Sequence, residues 1–240
     1  STLSSSGLQP QRLFEQQGRP QVVEELPDRL VILKPPHWEV DSLASEFSPG
    51  VARRRRLSEF LQEMLPLRQS PIVNDPSHSR GFIHRLDVPS SGLILAAKTY
   101  EAFYDLRLQL ISGDIARDYV VLCHGWFPRS CEGISMKIHR TPESSRPATV
   151  EESGKPSRTN VKVLAHGTRE GEAFSLLAVR IATGRQHQIR VHMAHVGHPT
   201  VCDGKYAPDT IQADRAWCPR NFIHRFHLAF KDAAGVGREV

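Results

Sequence analysis

Short apolar segments that stop abruptly at proline or glycine place the strongest constraint on how this chain can fold. The run Arg-Leu-Val-Ile-Leu-Lys at residues 29–34 ends at Pro35-Pro36 and is typical of a buried strand. Further strands are predicted at residues 92–98, 119–123, 160–165, 173–181 and 226–231. Helices are predicted at about residues 57–65, 100–110 and 186–196. Because these elements alternate irregularly and without a repeat, we predict an α+β fold around one mixed sheet.

Composition divides the chain into a short arm and one domain. Residues 1–28 are rich in Ser, Gln and Pro, and we interpret them as an N-terminal tail or arm ahead of a single domain at residues 29–240. Residues 142–157 are rich in Pro, Ser, Glu and Gly, which indicates a loop or an insertion. No segment approaches the ~20 apolar residues of a membrane helix. We therefore expect a soluble intracellular protein, in the cytoplasm or in an organelle such as the mitochondrion.

Cysteine spacing and charge narrow the class of protein only slightly. The four cysteines include no CxxC pair, which predicts neither a disulfide framework nor a zinc ribbon and favours a reducing compartment. The net charge is +5, with 24 Arg against 7 Lys. Arginine suits phosphate and base recognition, but a GC-rich genome produces the same bias. The run Arg53 to Arg56 is more typical of a solvated loop than of a nucleic-acid clamp.

Three polar clusters interrupt the core pattern. The first, His84 to Gly92, places Asp87 and small turn-forming residues just before a predicted strand, which suits either a site on a rigid scaffold or a turn capped by Asp87. The second runs from Thr183 to His192, and the third is Arg117-Asp-Tyr119 at the start of a strand. A tyrosine in that position is more often a core residue with a bonded hydroxyl than a catalytic group.

The second cluster contains histidines that invite a metal hypothesis. Four of them fall close together: His187, His192, His195 and His198. They lack the i, i+4 pairing with a nearby glutamate that zinc hydrolases show, and no carboxylate falls among them. We therefore predict no metal site and favour phosphate or carboxylate binding by this arginine-rich segment.

Together these segments resemble the catalytic domain of the RluA family of pseudouridine synthases. The matching segments occur in the family's order over about residues 29–231: Leu33-Lys-Pro-Pro36, His84-Arg-Leu-Asp-Val-Pro-Ser-Ser-Gly-Leu-Ile-Leu95, Arg117-Asp-Tyr119, Thr183-Gly-Arg-Gln-His-Gln-Ile-Arg-Val-His192 with Gly197-His-Pro199 and 203–206, and Ile223-His224 with Leu228-Ala-Phe230. The resemblance implies a single domain built on a mixed, largely antiparallel sheet with flanking helices and loops.

The resemblance also implies a reaction and its residues. The family breaks the bond from C1′ of the ribose to N1 of uracil, rotates the base and joins C1′ to C5, without a metal or redox cofactor. Asp87 matches the catalytic carboxylate, and Arg185 matches the arginine expected to hold Asp87 ionised. Tyr119 matches the tyrosine that packs on the base and assists proton removal.

Further positions match residues that bind the RNA. Ile189 matches an apolar position beneath the base, and Arg85 matches an arginine that enters the stack vacated by the flipped uridine. His84 and Arg190 are further candidates for contacts with the RNA, Arg190 for a phosphate or for the fold. The implied partner is a structured RNA, ribosomal or transfer RNA, and we expect a monomer without an obligatory protein partner.

Several departures from the family pattern leave other hypotheses open. Ser90 stands where the family more often has Thr, and Val88 stands where it often has a charged residue. Cys202 stands where the family usually has glycine, and Trp38 lies close to another position that is usually glycine. The small RNA-binding domain of many bacterial relatives has no counterpart in this sequence. The alternative is a catalytically weak or inactive RNA-binding or assembly factor of the same fold. A metal-dependent hydrolase that uses the histidine cluster ranks last.

Overall fold

The protein is described by a computed structural model that covers residues 18–41, 55–140 and 147–240. Ten strands in these ranges form one sheet: β1 Gln21–Glu25, β2 Arg29–Lys34, β3 Ser91–Ala97, β4 Ala116–His124, β5 Gly133–His139, β6 Thr149–Val150, β7 Lys155–Arg169, β8 Glu172–Ile181, β9 Ile223–Lys231 and β10 Gly237–Glu239. The α-helices are α1 Leu57–Met64, α2 Tyr100–Ser112, α3 Gln188–His195 and α4 Ile211–Arg215, and two 3-10 helices span Pro71–Asn74 and Pro76–Gly81.

The sheet is mixed and mostly antiparallel. Its strand order is β1-β2-β3-β9-β4-β8-β7-β5-β6, with β10 paired to β9. Among the strands just named, every neighbouring pair is antiparallel except β3 and β9, which are parallel. The predicted α+β class with a mixed, largely antiparallel sheet is therefore confirmed.

Three strand ends meet at one edge of the sheet and determine where the loops lie. Lys34 at the end of β2 pairs with Gly92 near the start of β3. Gly92 also pairs with Arg225 of β9, and Ser91 pairs with His224. The loops that follow β2, precede β3 and precede β9 consequently converge at this edge, where the polar cluster around Asp87 lies.

The core lies against the centre of the sheet. All seven residues of β3 are buried, as the continuous apolar sequence of a central strand requires. The helix α2 covers this region with Ala102, Phe103 and Leu106. It begins with the Thr99 hydroxyl accepting the Ala102 N–H at 3.2 Å, an ordinary N-cap.

The strand predictions missed four strands: β1, β5, β6 and β10. β1 lies inside the predicted arm and pairs with β2, while β6 and the start of β7 lie inside the predicted loop at 142–157, where that prediction is wrong. β1 alternates half-buried and exposed residues at a sheet edge, so it carries no apolar run. Residues 1–17 of the arm, residues 141–146, and Arg53 and Arg54 lie outside the described residues. Within the described ranges, no helix is long and apolar enough to span a membrane.

Replacing Gly92 with alanine is expected to destabilise the fold strongly. Gly92 has φ +122°, and a Cβ there would overlap the backbone of Arg225 on β9. We expect a loss of at least about 3 kcal/mol in the free energy of unfolding, measured by urea denaturation. Gly113→Ala is the matched control, because its φ is +81° but no atom lies within 4 Å of the added Cβ. Its cost should be about 1–2 kcal/mol, and equal losses for both variants would contradict the steric explanation.

Candidate active site

The loop between the second 3-10 helix and β3 presents Asp87 at the converging strand ends. The backbone N–H of Ser90 donates to the Asp87 carbonyl at 3.0 Å, closing a tight turn. The Asp87 side chain is 20% exposed, so it remains open to a ligand. Its Oδ2 accepts from Arg190 Nη1 at 2.9 Å, and its Oδ1 lies 3.8 Å from His187 Nε2.

Arg190 on α3 joins Asp87 to a second carboxylate. Its Nε and Nη2 donate to the two oxygens of Asp203, each at 2.7 Å, while its Nη1 donates to Asp87. Asp203 also accepts the backbone N–H groups of Lys205 and Tyr206 at 3.0 and 3.2 Å. Burial disfavours the charge on Arg190, but the hydrogen bonds and charges of the two carboxylates outweigh burial and raise its pKa. The side chain is thus a fixed cation beside Asp87.

The predicted pairing of Asp87 with Arg185 is wrong. Arg185 is exposed, and its Nε donates to the Pro156 carbonyl at 3.1 Å. The helix α3 begins at Gln188, so Arg185 lies in the preceding turn, where its own N–H donates to the Gln188 side chain at 3.0 Å. Arg190 is inside the helix and faces the loop that carries Asp87. Of the two arginines in this segment, the structure brings only the second to the carboxylate.

Tyr119 lies on β4 with its hydroxyl in a buried polar cluster. The residue is 3% exposed, and its Oη accepts from both Nε, at 3.0 Å, and Nη2 of Arg225. Arg225 Nη1 donates to Nδ1 of His84 at 3.0 Å. Burial, together with the charges of Arg225 and Arg117, lowers the pKa of His84 well below its usual value. His84 is therefore neutral and contacts Arg225.

The two remaining predicted residues lie in different environments. Arg85 is exposed beside Asp87 in the same loop, where it is free to reach a large ligand. Ile189 is 6% exposed and packs in the main apolar core. The structure thus brings together Asp87 with Arg190, and Tyr119 with His84 through Arg225, but leaves Arg185 apart from Asp87.

Lys34 is a site residue that sequence reasoning left without a role. It is fully buried, and its Nζ donates to the carbonyls of Trp38, Pro35 and Val88 at 2.8, 3.0 and 3.3 Å. The ammonium thereby ties the turn after β2 to the residue that follows Asp87. Burial lowers the pKa of Lys34 to about 7, with the charge of Asp87 opposing this shift. A lysine that ends an apolar run immediately before two prolines was the available signal.

The histidines of the second cluster point to different partners. His187 Nδ1 lies 2.9 Å from the Tyr206 hydroxyl, while His192 bonds Ser157 and Thr159 in the core. His198 Nδ1 donates to the His124 carbonyl at 3.0 Å. In the part of the chain that the structure describes, no group of three or more His, Cys, Asp or Glu side chains is arranged to hold a metal ion.

Comparison with known proteins relates this arrangement to one enzyme family. Residues 30–195 match the family model described as RNA pseudouridylate synthase. The chain is 38% identical over 153 residues to ribosomal large subunit pseudouridine synthase D of Nitrosomonas europaea, a match covering 62% of this chain and 43% of that protein. It is 33% identical over 153 residues to ribosomal large subunit pseudouridine synthase C of Pasteurella multocida, covering 62% of this chain and 46% of that protein. The matches therefore span less than half the length of these relatives.

Solved structures give the same relationship over more of the chain. Human RNA pseudouridylate synthase domain containing 1 matches with a TM-score of 0.66 and 27% identity, over 92% of this chain and 82% of that one. Human RNA pseudouridylate synthase domain containing 4 matches with a TM-score of 0.62 over 90% of this chain and 86% of that one. At 14% identity, the second match supports the fold alone.

Proposed function

The chain belongs to the RNA pseudouridylate synthase family, as an RluA-type member, and from this membership we propose that it converts specific uridines of a structured RNA to pseudouridine. The observation that carries the proposal is the ion pair of Asp87 with Arg190. It holds a partly exposed carboxylate beside a guanidinium in the loop where the family resemblance expects the catalytic aspartate.

Asp87 supplies the reactive group in this proposal. The reaction breaks the bond from C1′ to N1, turns the uracil and forms a bond from C1′ to C5. An ionised carboxylate either adds to the sugar or base, or removes a sugar proton on the glycal route. Arg190 orients this carboxylate and is itself held by Asp203, so the reactive oxygen is fixed before the substrate arrives.

The other site residues hold the base. We assign to Tyr119 the contact with the uracil ring. Ile189 supports the apolar side of the base pocket, and His84 reaches the site through Arg225. Arg185, displaced from the carboxylate, is assigned to the exposed rim of the site, where a guanidinium suits an RNA phosphate.

The substrate we propose is structured RNA, with ribosomal RNA first and transfer RNA second. The names of the two bacterial relatives assign those proteins to the large ribosomal subunit. A uridine in a helix or a closed loop must leave its stack to reach Asp87. With RNA as the substrate, we also propose that the protein acts inside the cell, in the cytoplasm or in an organelle.

We further propose that residues 29–240 form the catalytic domain and that the chain acts as a monomer. β1 from the preceding arm extends the sheet beside β2. The residues assigned above all come from one chain, so a second copy is not needed to complete the site.

Arg85→Ala is expected to weaken RNA binding by about tenfold. An arginine that fills the gap left by a flipped base contributes roughly 1–3 kcal/mol through stacking. Filter binding with a uridine-containing hairpin measures this loss. The control is Arg238→Ala, which removes a half-buried arginine of β10 that is paired with Asp232. Equal affinities of wild type and Arg85→Ala would remove Arg85 from the RNA interface.

A modification map of total RNA tests the proposed activity. Pseudouridines are mapped in cells with and without the gene, and purified protein is then added to the RNA from the deficient cells. We expect one or a few pseudouridines to be missing from the RNA of the deficient cells and to reappear when the purified protein is added. A map in which every position is unchanged would overturn the proposal and support the assembly-factor alternative.

A further inference from the structure

Two deeply buried arginines near Tyr119 have no carboxylate partner. Arg117 is 4% exposed and Arg225 is 1% exposed, and within residues 18–41, 55–140 and 147–240 neither forms an ion pair with Asp or Glu. Two other buried arginines each pair with two carboxylates: Arg29 with Asp28 and Asp105, and Arg190 with Asp87 and Asp203. Carboxylates therefore balance the charges of Arg29 and Arg190, whereas Arg117 and Arg225 have no such counter-charge.

Arg225 gives its hydrogen bonds only to neutral groups. Two of its nitrogens donate to the Tyr119 hydroxyl oxygen, and the third donates to His84 Nδ1 and to the Leu93 carbonyl at 2.9 Å. The guanidinium carbon also lies 5.0 Å from the centre of the Tyr119 ring. The Arg225 guanidinium thus holds the Tyr119 hydroxyl in place, and the O–H hydrogen of Tyr119 points away from Arg225.

Arg117 forms fewer hydrogen bonds than Arg225. Its Nη2 donates to the Ile181 carbonyl at 3.4 Å, and its buried Nε has no hydrogen-bond partner in the described part of the chain. The guanidinium reaches the turn before α3, because a Cβ on Gly184 would lie 3.1 Å from Arg117 Nη1. The side chain therefore lies between Tyr119 on β4 and the loop that leads to Arg190.

An unpaired charge in a low-dielectric interior is unfavourable, and arginine does not escape the cost by losing its proton. Burial, reinforced by the charge of Arg225, lowers the pKa of Arg117 below its usual value, yet the group stays charged at any physiological pH. Two such cations around one hydroxyl create a strongly positive potential that an anion would relieve. The ligand expected there is a planar group that becomes negative during the reaction.

We propose that Arg117, Tyr119 and Arg225 form an anion site that stabilises the uracil ring as it leaves the ribose. This inference rests on the proposed function. When the bond from C1′ to N1 breaks, its electron pair stays on the base, and the resulting uracil anion carries charge on its ring nitrogens and carbonyl oxygens. C5 then bonds to C1′, its proton passes to a base, and N1 takes up a proton, so the sequence is balanced as an isomerisation.

The three residues have different parts in this site. The Tyr119 hydroxyl donates to a uracil carbonyl oxygen, since both directions from which its oxygen accepts are taken by Arg225. Arg225 is a positioning residue, because it acts through Tyr119. Arg117 supplies an unused N–H donor and a positive charge. Donors aimed at developing charge in a site closed to water are worth about 10²–10³-fold each in rate.

Arg117→Met tests the proposal, with Arg117→Lys as the charge-retaining partner and Arg169→Met as the control. Arg169 is an exposed arginine paired with Glu170 at the far end of β7. Unmodified transcripts of large-subunit ribosomal RNA and transfer RNA serve as substrates. We expect Arg117→Met to lower kcat about 100-fold or more with KM within threefold of wild type, and Arg117→Lys to recover at least tenfold. The Tm of Arg117→Met should stay at or above that of wild type, because the substitution removes an unpaired buried charge and one long hydrogen bond.

Arg225→Met and Arg225→Lys give an independent measurement. The methionine variant should again lower kcat far more than it raises KM, and the lysine variant should recover part of the loss. A kcat for Arg117→Met within threefold of wild type, or lysine variants no better than methionine variants, would overturn the anion site while the proposed function stands. If wild type itself forms no pseudouridine, the proposed function fails and the anion site fails with it.

Discussion

Asp87→Asn should abolish pseudouridine formation, with kcat reduced by on the order of 10⁴-fold. The amide has nearly the shape of the carboxylate but neither adds to a carbon centre nor accepts a proton at neutral pH. Its oxygen still accepts from Arg190, whose other hydrogen bonds go to Asp203. We therefore expect the variant to fold with a Tm close to that of wild type and to bind RNA with similar affinity.

Single-turnover release of tritium from C5-labelled uridine measures this loss directly. The matched control is Asp114→Asn, since Asp114 is an exposed carboxylate paired with Lys231 at the far side of the sheet. Turnover by Asp87→Asn within tenfold of wild type would remove Asp87 from the reaction. A loss shared equally by the control would point to general damage instead.

Arg190→Met is expected to destabilise the fold strongly. The substitution leaves Asp203, which is 1% exposed, as an unpaired buried carboxylate, and removes the cation beside Asp87. Breaking a buried pair by removing one partner costs about 3–5 kcal/mol, which urea denaturation measures. Activity should fall as well, because Asp87 loses the hydrogen bond that orients its carboxylate.

Two further variants test whether the stability is lost because the buried ion pair is broken, or because any arginine in this segment is removed. Arg185→Met should cost less than about 1 kcal/mol, because Arg185 is exposed and donates only to a carbonyl. Adding Asp203→Asn to Arg190→Met should restore part of the lost stability, since it removes the unpaired charge. If Arg185→Met is as destabilising as Arg190→Met, the assignment of the ion pair is wrong.

The sequence predicted the site's segments better than the contacts inside it. The loop around Asp87, the strand with Tyr119 and the helix with Arg190 were all identified, because each breaks or begins a clear apolar pattern. The arginine that pairs with Asp87 was not identified. Arg185 and Arg190 lie five positions apart, and which of them reaches Asp87 depends on where α3 begins. That start follows from the turn in which Gln188 bonds the Arg185 backbone, and periodicity alone does not reveal it.

Long-range pairings were also beyond sequence reasoning. Asp203 and Arg225 reach the site from segments distant in sequence, and only the strand register brings Arg225 behind Tyr119. Edge strands such as β1 were missed because half-exposed strands have no continuous apolar face. By contrast, β3, which is fully buried, and β2, which is buried except for the half-buried Leu33, were evident from their apolar runs.

The position of β9 between β3 and β4 has a consequence for how the protein forms during synthesis. The contact between Ser91 and His224 spans 133 residues, so β3 and β4 are made long before the strand that joins them. Until β9 emerges from the ribosome, both strands have open edges that are free to pair with another chain. Closure of the sheet should therefore be a late, slow event. Because β9 also carries Arg225, catalytic competence should appear only at that closure.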